Sequence, residues 1–195
     1  MQKIVFATGN KNKLKEAREI LGAAWQLASL TDIGCTEEIP ETKGTIQGNA
    51  IQKAEYIKEK YGIDCFAEDT GLEVHALNGE PGVYSARYAG PGAQSKDNIA
   101  LVLDKLKGAD DRSARFKTVI ALFCRGELHT FEGIVNGKIL ASEKGSGGFG
   151  YDPIFQPDGY SESFGELPAE VKNKISHRAR ALRDFAAFMQ EQNTK

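Results

Sequence analysis

The chain has 195 residues, 41% hydrophobic and 27% charged, with a formal charge of −2, a size and balance that fit one globular domain or two closely joined lobes. The slightly acidic total excludes a general nucleic-acid binder, which carries a strong basic excess, and no apolar run approaches the roughly 20 residues of a membrane helix. Cys35, Cys65 and Cys124 form no CxxC pair, which excludes a disulfide framework and a thiolate zinc site.

The start, Met1 to Ala7, lacks a signal peptide's long apolar stretch and reads as a strand, so a cytoplasmic protein is expected. Strand Lys3–Ala7 runs through Thr8-Gly9-Asn10 into a helix ending near Leu21, with Leu14, Ala17 and Leu21 at helical spacing and Asn10 or Asn12 as N-cap. Trp25 to Leu30 predicts a second strand, and a polar stretch runs from Thr31 to Gly44. A helix over Thr45–Tyr61 places Ile46, Ala50, Ala54, Ile57 and Tyr61 on one face. At about 100° per residue, Lys53 lies roughly 60° from the centre of that stripe, at the border of the buried face. Ile63–Glu68 reads as a strand with Asp69-Thr70-Gly71 as its turn, and Leu72, Val74 and Ala76 alternate like a strand.

Ala89–Gln94 reads as loop, and Ser95 caps a helix whose stripe is Ile99, Val102, Leu103 and Leu106. Arg115–Cys124 and Leu128–Val135 predict a hairpin around Arg125-Gly126-Glu127, with Lys138–Glu143 as a further strand. A glycine-rich loop spans Gly145–Gly150, and the last helix starts near Ser176 with Leu182, Phe185, Ala186 and Met189 on one face. Strands mixed with helices, one hairpin among them, predict an α/β fold with a mixed sheet.

Four segments carry candidate chemistry. Thr8-Gly9-Asn10-Lys11-Asn12-Lys13 joins a strand end to a helix start, where free N–H groups and the helix dipole attract anions. Gly9 admits close backbone approach and Lys11 and Lys13 add positive charge, although the segment is not a Walker loop; a plain Gly-Asn turn is the competing reading. Glu68-Asp69-Thr70-Gly71 lies at a strand end, and adjacent strand residues face opposite ways, so one of the two carboxylates should face a site. Magnesium takes hard oxygen ligands, which makes Asp69 a candidate and Glu41 a second; a solvated acidic turn is the alternative.

Gly145, Gly147 and Gly150 satisfy G-x-G-x-x-G, but Pro153 disfavours the helix that a dinucleotide fingerprint must open. What remains is a mobile glycine loop displaying Phe149, Tyr151 and Asp152, its aromatics either stacking a nucleobase or serving as core residues at a turn. In Ser176-His177-Arg178, following Lys172 and Lys174, Arg178 extends the buried stripe of the last helix, and a cation there opposes the dipole. An electron-rich partner is expected, either a ligand or a carboxylate such as Asp152. Five Lys or Arg and no acid between Lys172 and Arg183, with a second group at Lys11, Lys13, Lys15 and Arg18, fit a small anionic ligand better than a polyanion.

In this order and spacing the segments resemble the inosine/xanthosine triphosphate pyrophosphatase family, which removes deaminated purine nucleotides. The resemblance runs from Lys3 to about Leu182 and takes in Asn49-Ala50 with Lys53-Ala54 and Pro81 to Tyr88. It implies an elongated two-lobed α/β fold over residues 1–195, with a long mixed β-sheet flanked by helices and an active-site cleft between the lobes. It also implies a homodimer, Mg2+, and hydrolysis of ITP, dITP and XTP to the monophosphate and pyrophosphate, which keeps them out of DNA and RNA. Thr8, Gly9, Asn10, Lys11, Asn12 and Lys13, with Lys53 and Thr70, would hold the triphosphate. Asp69 would bind magnesium or act as the base, with Glu41 as a further metal ligand. Phe149, Gly150, Tyr151 and Asp152, with Lys172, His177 and Arg178, would hold the base, Lys172 and Arg178 donating to the purine 6-oxygen. The segment Ser161 to Leu167 is less regular than the family's usual stretch, which leaves local loop contacts open. Three other readings stand beside this one, the last a single-strand nucleic-acid binder using Phe149 and Tyr151, which the net charge of −2 disfavours. The first is a pyrophosphatase for other modified nucleotides. The second is a non-catalytic nucleotide-binding protein, which has little need of the Asp69 and Glu41 pair.

Overall fold

The computed structural model describes residues 2–193. Strand β1 (Gln2–Phe6) leads into helix α1 (Lys11–Leu21), whose start is set by Asn10: its side chain accepts from the N–H groups of Asn12 and Lys13 and so satisfies two donors that the first turn leaves open. Strand β2 (Trp25–Ala28) returns parallel to β1, with Leu27 opposite Ile4. Helix α2 (Ile46–Tyr61) starts at Thr45, whose hydroxyl accepts from the N–H of Gly48, and stops at Gly62 in the left-handed region that glycine favours.

The next strand differs from the expectation. β3 runs unbroken from Cys65 to Val74, straight through Asp69-Thr70-Gly71. Asp-Thr-Gly has turn composition, but Phe66, Ala67, Leu72 and Val74 around it are all fully buried, and burial on both faces holds the segment extended. Glu68 and Asp69 therefore sit mid-strand and buried, not on a wet turn. Helix α3 (Ser95–Lys105) is capped by Gln94 in a capping box with Asp97; Ser95 is its first helical residue instead of its cap. β4 (Ser113–Cys124) and β5 (Glu127–Ile139) are joined by Arg125-Gly126, both at positive φ, as a two-residue hairpin turn requires.

The separate strand expected over Lys138–Glu143 does not form, because β5 continues to Ile139 and pairs antiparallel with a short β6 (Phe155–Pro157). Pro157, lacking an N–H, is tolerated in that last strand. α4 (Ala169–Ile175) precedes α5 (His177–Asn193) and has no signal of its own in the apolar pattern. The strand order is β2-β1-β3-β4-β5-β6, with β1 parallel to both of its neighbours, so the sheet is mixed and the fold is α/β.

The chain divides into two units. The first comprises Met1–Asp69, Thr118–Gly133 and Arg178–Lys195; the second comprises Thr70–Lys117 and Ile134–His177. Each has its own core. In the first, Phe66 stacks on Phe6 at 4.4 Å between centroids and meets Phe185 at 4.8 Å. In the second, Phe116, Phe155 and Phe164 pack with Leu72, Val102 and Tyr151.

A glycine in β5 tests the pairing of the last two strands. A Cβ at Gly137 would overlap the carbonyl oxygen of Gln156 and lie 2.8 Å from Phe155 Cζ. Gly137→Ala is expected to lower stability by about 1–3 kcal/mol. Gly44→Ala, whose Cβ meets open space, serves as control; equal urea midpoints for the two variants would refute the close approach.

Candidate active site

Alternation along β3 sends its two neighbouring carboxylates into different networks of the first unit. Glu68 accepts from Arg178, with Nε 3.0 Å from both oxygens and Nη2 at 2.8 Å, and Lys13 Nζ lies 3.3 Å away. Glu16, one turn beyond Lys13 on α1, accepts from Arg178 Nη1. Arg178 is 1% exposed, so its charge is tenable only because both carboxylates meet it. Burial alone would raise the Glu68 pKa, but the charges of Arg178 and Lys13 override it and hold the carboxyl at about 2. Burial lowers the Lys13 pKa, Glu68 opposes that, and Lys53 and Arg178 push the same way as burial.

Asp69 faces α2. Its Oδ1 accepts from Lys53 Nζ at 3.3 Å and its Oδ2 from Asn49 Nδ2 at 3.4 Å. The same ammonium donates to Glu41 Oε1 at 2.6 Å. The spacing along α2 set Lys53 at the border of the buried face, and it is indeed buried, its stem covered and its charge spent on two carboxylates. Burial raises the Asp69 pKa above its ordinary value; Lys53 and Lys13 pull it back, and Glu41 adds to the rise.

Two carboxylates that reach one ammonium are close enough to share one metal cation, and both offer the hard oxygens that Mg2+ takes. Among the described residues no group of three or more His, Cys, Asp or Glu gathers around a point. Magnesium uses one or two carboxylates and fills its remaining positions with water and phosphate oxygens, so two are enough. On this donor set the residues present suit the ion.

The Thr8–Lys13 turn is shaped by its own side chains. Thr8 Oγ1 accepts from the N–H of Asn10, and Asn10 Oδ1 from those of Asn12 and Lys13. Two amides at the start of α1 are thus already engaged, so attraction for an anion there rests chiefly on Lys11 and Lys13. A Cβ at Gly9 would meet nothing within 4 Å, which marks open space beside the turn.

The second unit holds the other candidates. Asp152 Oδ2 accepts from the N–H of Phe149 at 2.7 Å and from Lys172 Nζ at 2.6 Å, while Lys172 Nζ stands 5.2 Å from the centre of the Phe149 ring. A Cβ on Gly148 would overlap Asp152 Oδ2, and its φ of 71° also favours glycine. The expected carboxylate partner of Arg178 was Asp152; Asp152 pairs with Lys172 instead, and Arg178 with Glu68 and Glu16.

The glycine loop, read from sequence as mobile, is tied down. Lys144 N donates to Pro153 O, Gly147 N to Gly165 O, Gly165 N to Asp152 O, and Ser163 Oγ to Lys144 O. The irregular Ser161–Leu167 segment is therefore what fastens the loop. Of its two aromatics, Tyr151 is buried, with its hydroxyl donating to Ser85 O; Phe149 and Gly150 are half-buried. His177 stacks on Phe116 at 4.5 Å and 17°.

The structure thus brings Glu41, Lys53 and Asp69 together, gathers Lys13 and Arg178 around Glu68, and groups Phe149, Asp152 and Lys172. Thr70 adjoins Asp69 along β3. Sequence reasoning missed Glu68, Glu16 and Asn49 as working parts. The local signals were present: Glu16 is three residues from Lys13 on one helix, and Asn49 four from Lys53 on another, spacings that place side chains side by side.

Glu68→Gln removes the main counter-charge of a buried guanidinium and is expected to cost about 3–5 kcal/mol near neutral pH. Because the Glu68 pKa is depressed from 4.5 to about 2, its contribution is complete above the unfolded value and fades as pH falls through that window. Urea unfolding against pH checks this; a wild-type advantage over Glu68→Gln that stays constant across the window would contradict it.

The Ham1 family model matches residues 4–188. The chain is 53% identical over 183 residues to the dITP/XTP pyrophosphatase of Flavobacterium johnsoniae, covering 94% of this chain and 95% of that one. It is 51% identical over 189 residues to the dITP/XTP pyrophosphatase of Porphyromonas gingivalis, covering 95% and 97%. Among solved structures it is similar to the Staphylococcus aureus Ham1 protein, with a TM-score of 0.89, 36% identity and coverage of 98% and 100%. It is also similar to a nucleoside-triphosphatase / dITP/XTP pyrophosphatase from Mycobacterium abscessus, with a TM-score of 0.77, 41% identity and coverage of 94% and 98%. A family match along nearly the whole chain, with relatives more than half identical to it, means that this chain belongs to the Ham1 family.

Proposed function

We propose that this chain is a hydrolase that cleaves deaminated purine nucleoside triphosphates (ITP, dITP and XTP) to the monophosphate and pyrophosphate, keeping them out of DNA and RNA. The observation that carries the reading is the Glu41–Lys53–Asp69 cluster, in which two carboxylates share one buried ammonium. The names of the relatives support the same chemistry.

Lys13 and Lys53, with the Thr8-Gly9-Asn10-Lys11-Asn12 turn and Thr70, take the triphosphate. Both lysines are held by carboxylates, so their side chains are oriented before an anion arrives. Glu41 and Asp69 would hold Mg2+, which when bound neutralises phosphate charge and lowers the pKa of bound water. Asp69 positions the attacking water by accepting its hydrogen bond. Burial raises the Asp69 pKa above its ordinary value, but a carboxylate committed to a cation is a weaker base than a free one, so orientation is the larger part of its role.

Phe149 supplies a face for the purine, and Lys172 a donor for its 6-position. Asp152 and the Phe149 ring hold that ammonium in place. Inosine and xanthine present a 6-oxygen acceptor, whereas adenine presents an amino donor that the ammonium cannot pair with, a mismatch that discriminates by up to about 10⁴-fold. Tyr151 and His177 shape this region from the core side, and Gly150 continues the loop beside Phe149. Arg178, held by Glu68 and Glu16, is the second donor assigned to the 6-oxygen. The homodimer implied by the family resemblance, in the cytoplasm, belongs to the same proposal; among the described residues no helix is long and apolar enough to cross a membrane.

Pyrophosphate release with Mg2+ on ITP, dITP, XTP, ATP and GTP tests the reading. Rapid release from the first three, slow release from ATP, and a drop of about 10²-fold or more in kcat for Asp69→Asn are expected; GTP, which shares the 6-oxygen, reports separately on discrimination at the 2-amino group. Equal rates on all five would remove the base-recognition argument in favour of a broader pyrophosphatase, and near-normal turnover in Asp69→Asn would remove that residue's role.

A further inference from the structure

Glu41, one of the two carboxylates assigned to the metal, lies on a stretch with no regular structure, between the 3-10 turn at Thr31–Ile33 and α2. Such a stretch does not by itself hold a side chain to the tolerance a metal site needs. The stretch is nevertheless fastened to α2 on both sides of Glu41. Before it, Glu37 Oε1 accepts from Lys60 Nζ at 2.6 Å, Tyr61 OH at 2.9 Å and Tyr56 OH at 3.2 Å. After it, the Gln52 side-chain amide closes a ring with Thr42: Thr42 N donates to Gln52 Oε1, and Gln52 Nε2 donates to Thr42 Oγ1, both at 2.9 Å. One residue on, Lys43 N donates to Asn49 Oδ1 at 2.8 Å. A Cβ on Gly48 would lie 2.8 Å from Lys43 Cβ, so the helix leaves room there for the stretch to lie close.

Gly48, Asn49 and Gln52 are at i, i+1 and i+4 of α2, a spacing that presents them to one side of the helix. Lys53 follows Gln52 directly and carries the ammonium that Glu41 and Asp69 share. Asn49 bridges the two parts, accepting from Lys43 N and donating to Asp69 Oδ2. We infer that Gln52 and Thr42 are positioning residues for metal binding: their paired hydrogen bonds fix the backbone next to Glu41, so that its carboxylate stands beside Asp69 before a cation arrives.

The inference rests on the metal role given to Glu41 under the proposed function. Neither Gln52 nor Thr42 touches substrate or metal in this scheme, and Thr42 is exposed, so variants there are expected to fold. The ring makes specific demands. Thr42→Val keeps the amide bond and loses the hydroxyl acceptor, Gln52→Ala loses both bonds, and Thr42→Ser keeps both.

The experiment is titration of each purified variant with Mn2+, followed by the loss of the free-ion EPR signal. It is paired with the Mn2+ concentration giving half-maximal ITP hydrolysis and with the unfolding midpoint of the metal-free protein. Gln52→Ala is expected to weaken Mn2+ binding by about tenfold, the size usual for groups that orient a metal ligand, and Thr42→Val by less. Thr42→Ser should match wild type, and kcat at saturating Mn2+ and the metal-free midpoint should hold in all three. Mn2+ affinities equal to wild type in Gln52→Ala and Thr42→Val, with a metal-dependent wild type, would overturn the positioning role and leave the proposed function standing. Wild-type turnover that needs no metal would overturn the metal assignment itself, and this inference with it.

Discussion

Two carboxylates adjacent in sequence are buried in the middle of a strand, and much of the first unit is arranged to make that possible. Glu68 and Asp69 are 1% and 7% exposed. Ionised carboxylates taken from water without partners would be far too costly to keep, and three cations answer them: Lys13 from α1, Lys53 from α2 and Arg178 from α5. Each helix has to be placed so that its cation arrives at β3. The capping of α1 by Asn10 and of α2 by Thr45, and the apolar packing of α5 through Phe185 against Phe66, are the means by which that placement is fixed.

The strand's alternation then separates the pair by function. Glu68 is held by a guanidinium through two nitrogens and by an ammonium, so its charge is locked and its pKa pulled far down. Such a group does little chemistry; it anchors Arg178 and orders Lys13 beside the Thr8–Lys13 turn. Asp69 has one longer contact to an ammonium and one to an amide, and burial moves its pKa the other way. Weak, exchangeable partners suit the metal-binding role proposed for Asp69, since an arriving cation must displace them. In the second unit Asp152 does for Lys172 what Glu68 does for Arg178, with Gly148 leaving space for its carboxylate.

Much of this was legible in the chain, and the failures share a cause. The Asn10 cap of α1, the place of the glycine loop, the Arg125-Gly126 turn and the inward side of Lys53 depend on residues a few positions apart, so local rules reach them. The turn expected at Asp69-Thr70-Gly71 failed because partners distant in sequence compensate the acidic pair; Arg178 is 110 residues from Glu68. β6 spans three residues and ends on Pro157, and α4 has only seven, too short for an apolar period to show. Tyr151 looked available for stacking because nothing nearby reveals that its hydroxyl reaches Ser85, 66 residues back. The tether on Glu41 was equally hidden, although Asn49 and Gln52 stand in plain view on α2.

The claim that neighbouring carboxylates on β3 have opposite roles is open to direct measurement by following the side-chain carboxyl 13C resonances of Glu68 and Asp69 with pH, with and without Mg2+. The account predicts that Glu68 stays ionised down to acid unfolding and ignores the metal, while the Asp69 pKa lies above its ordinary value without metal and falls when Mg2+ is added. Matching titrations for the two residues, or a Mg2+ response at Glu68 and none at Asp69, would contradict it.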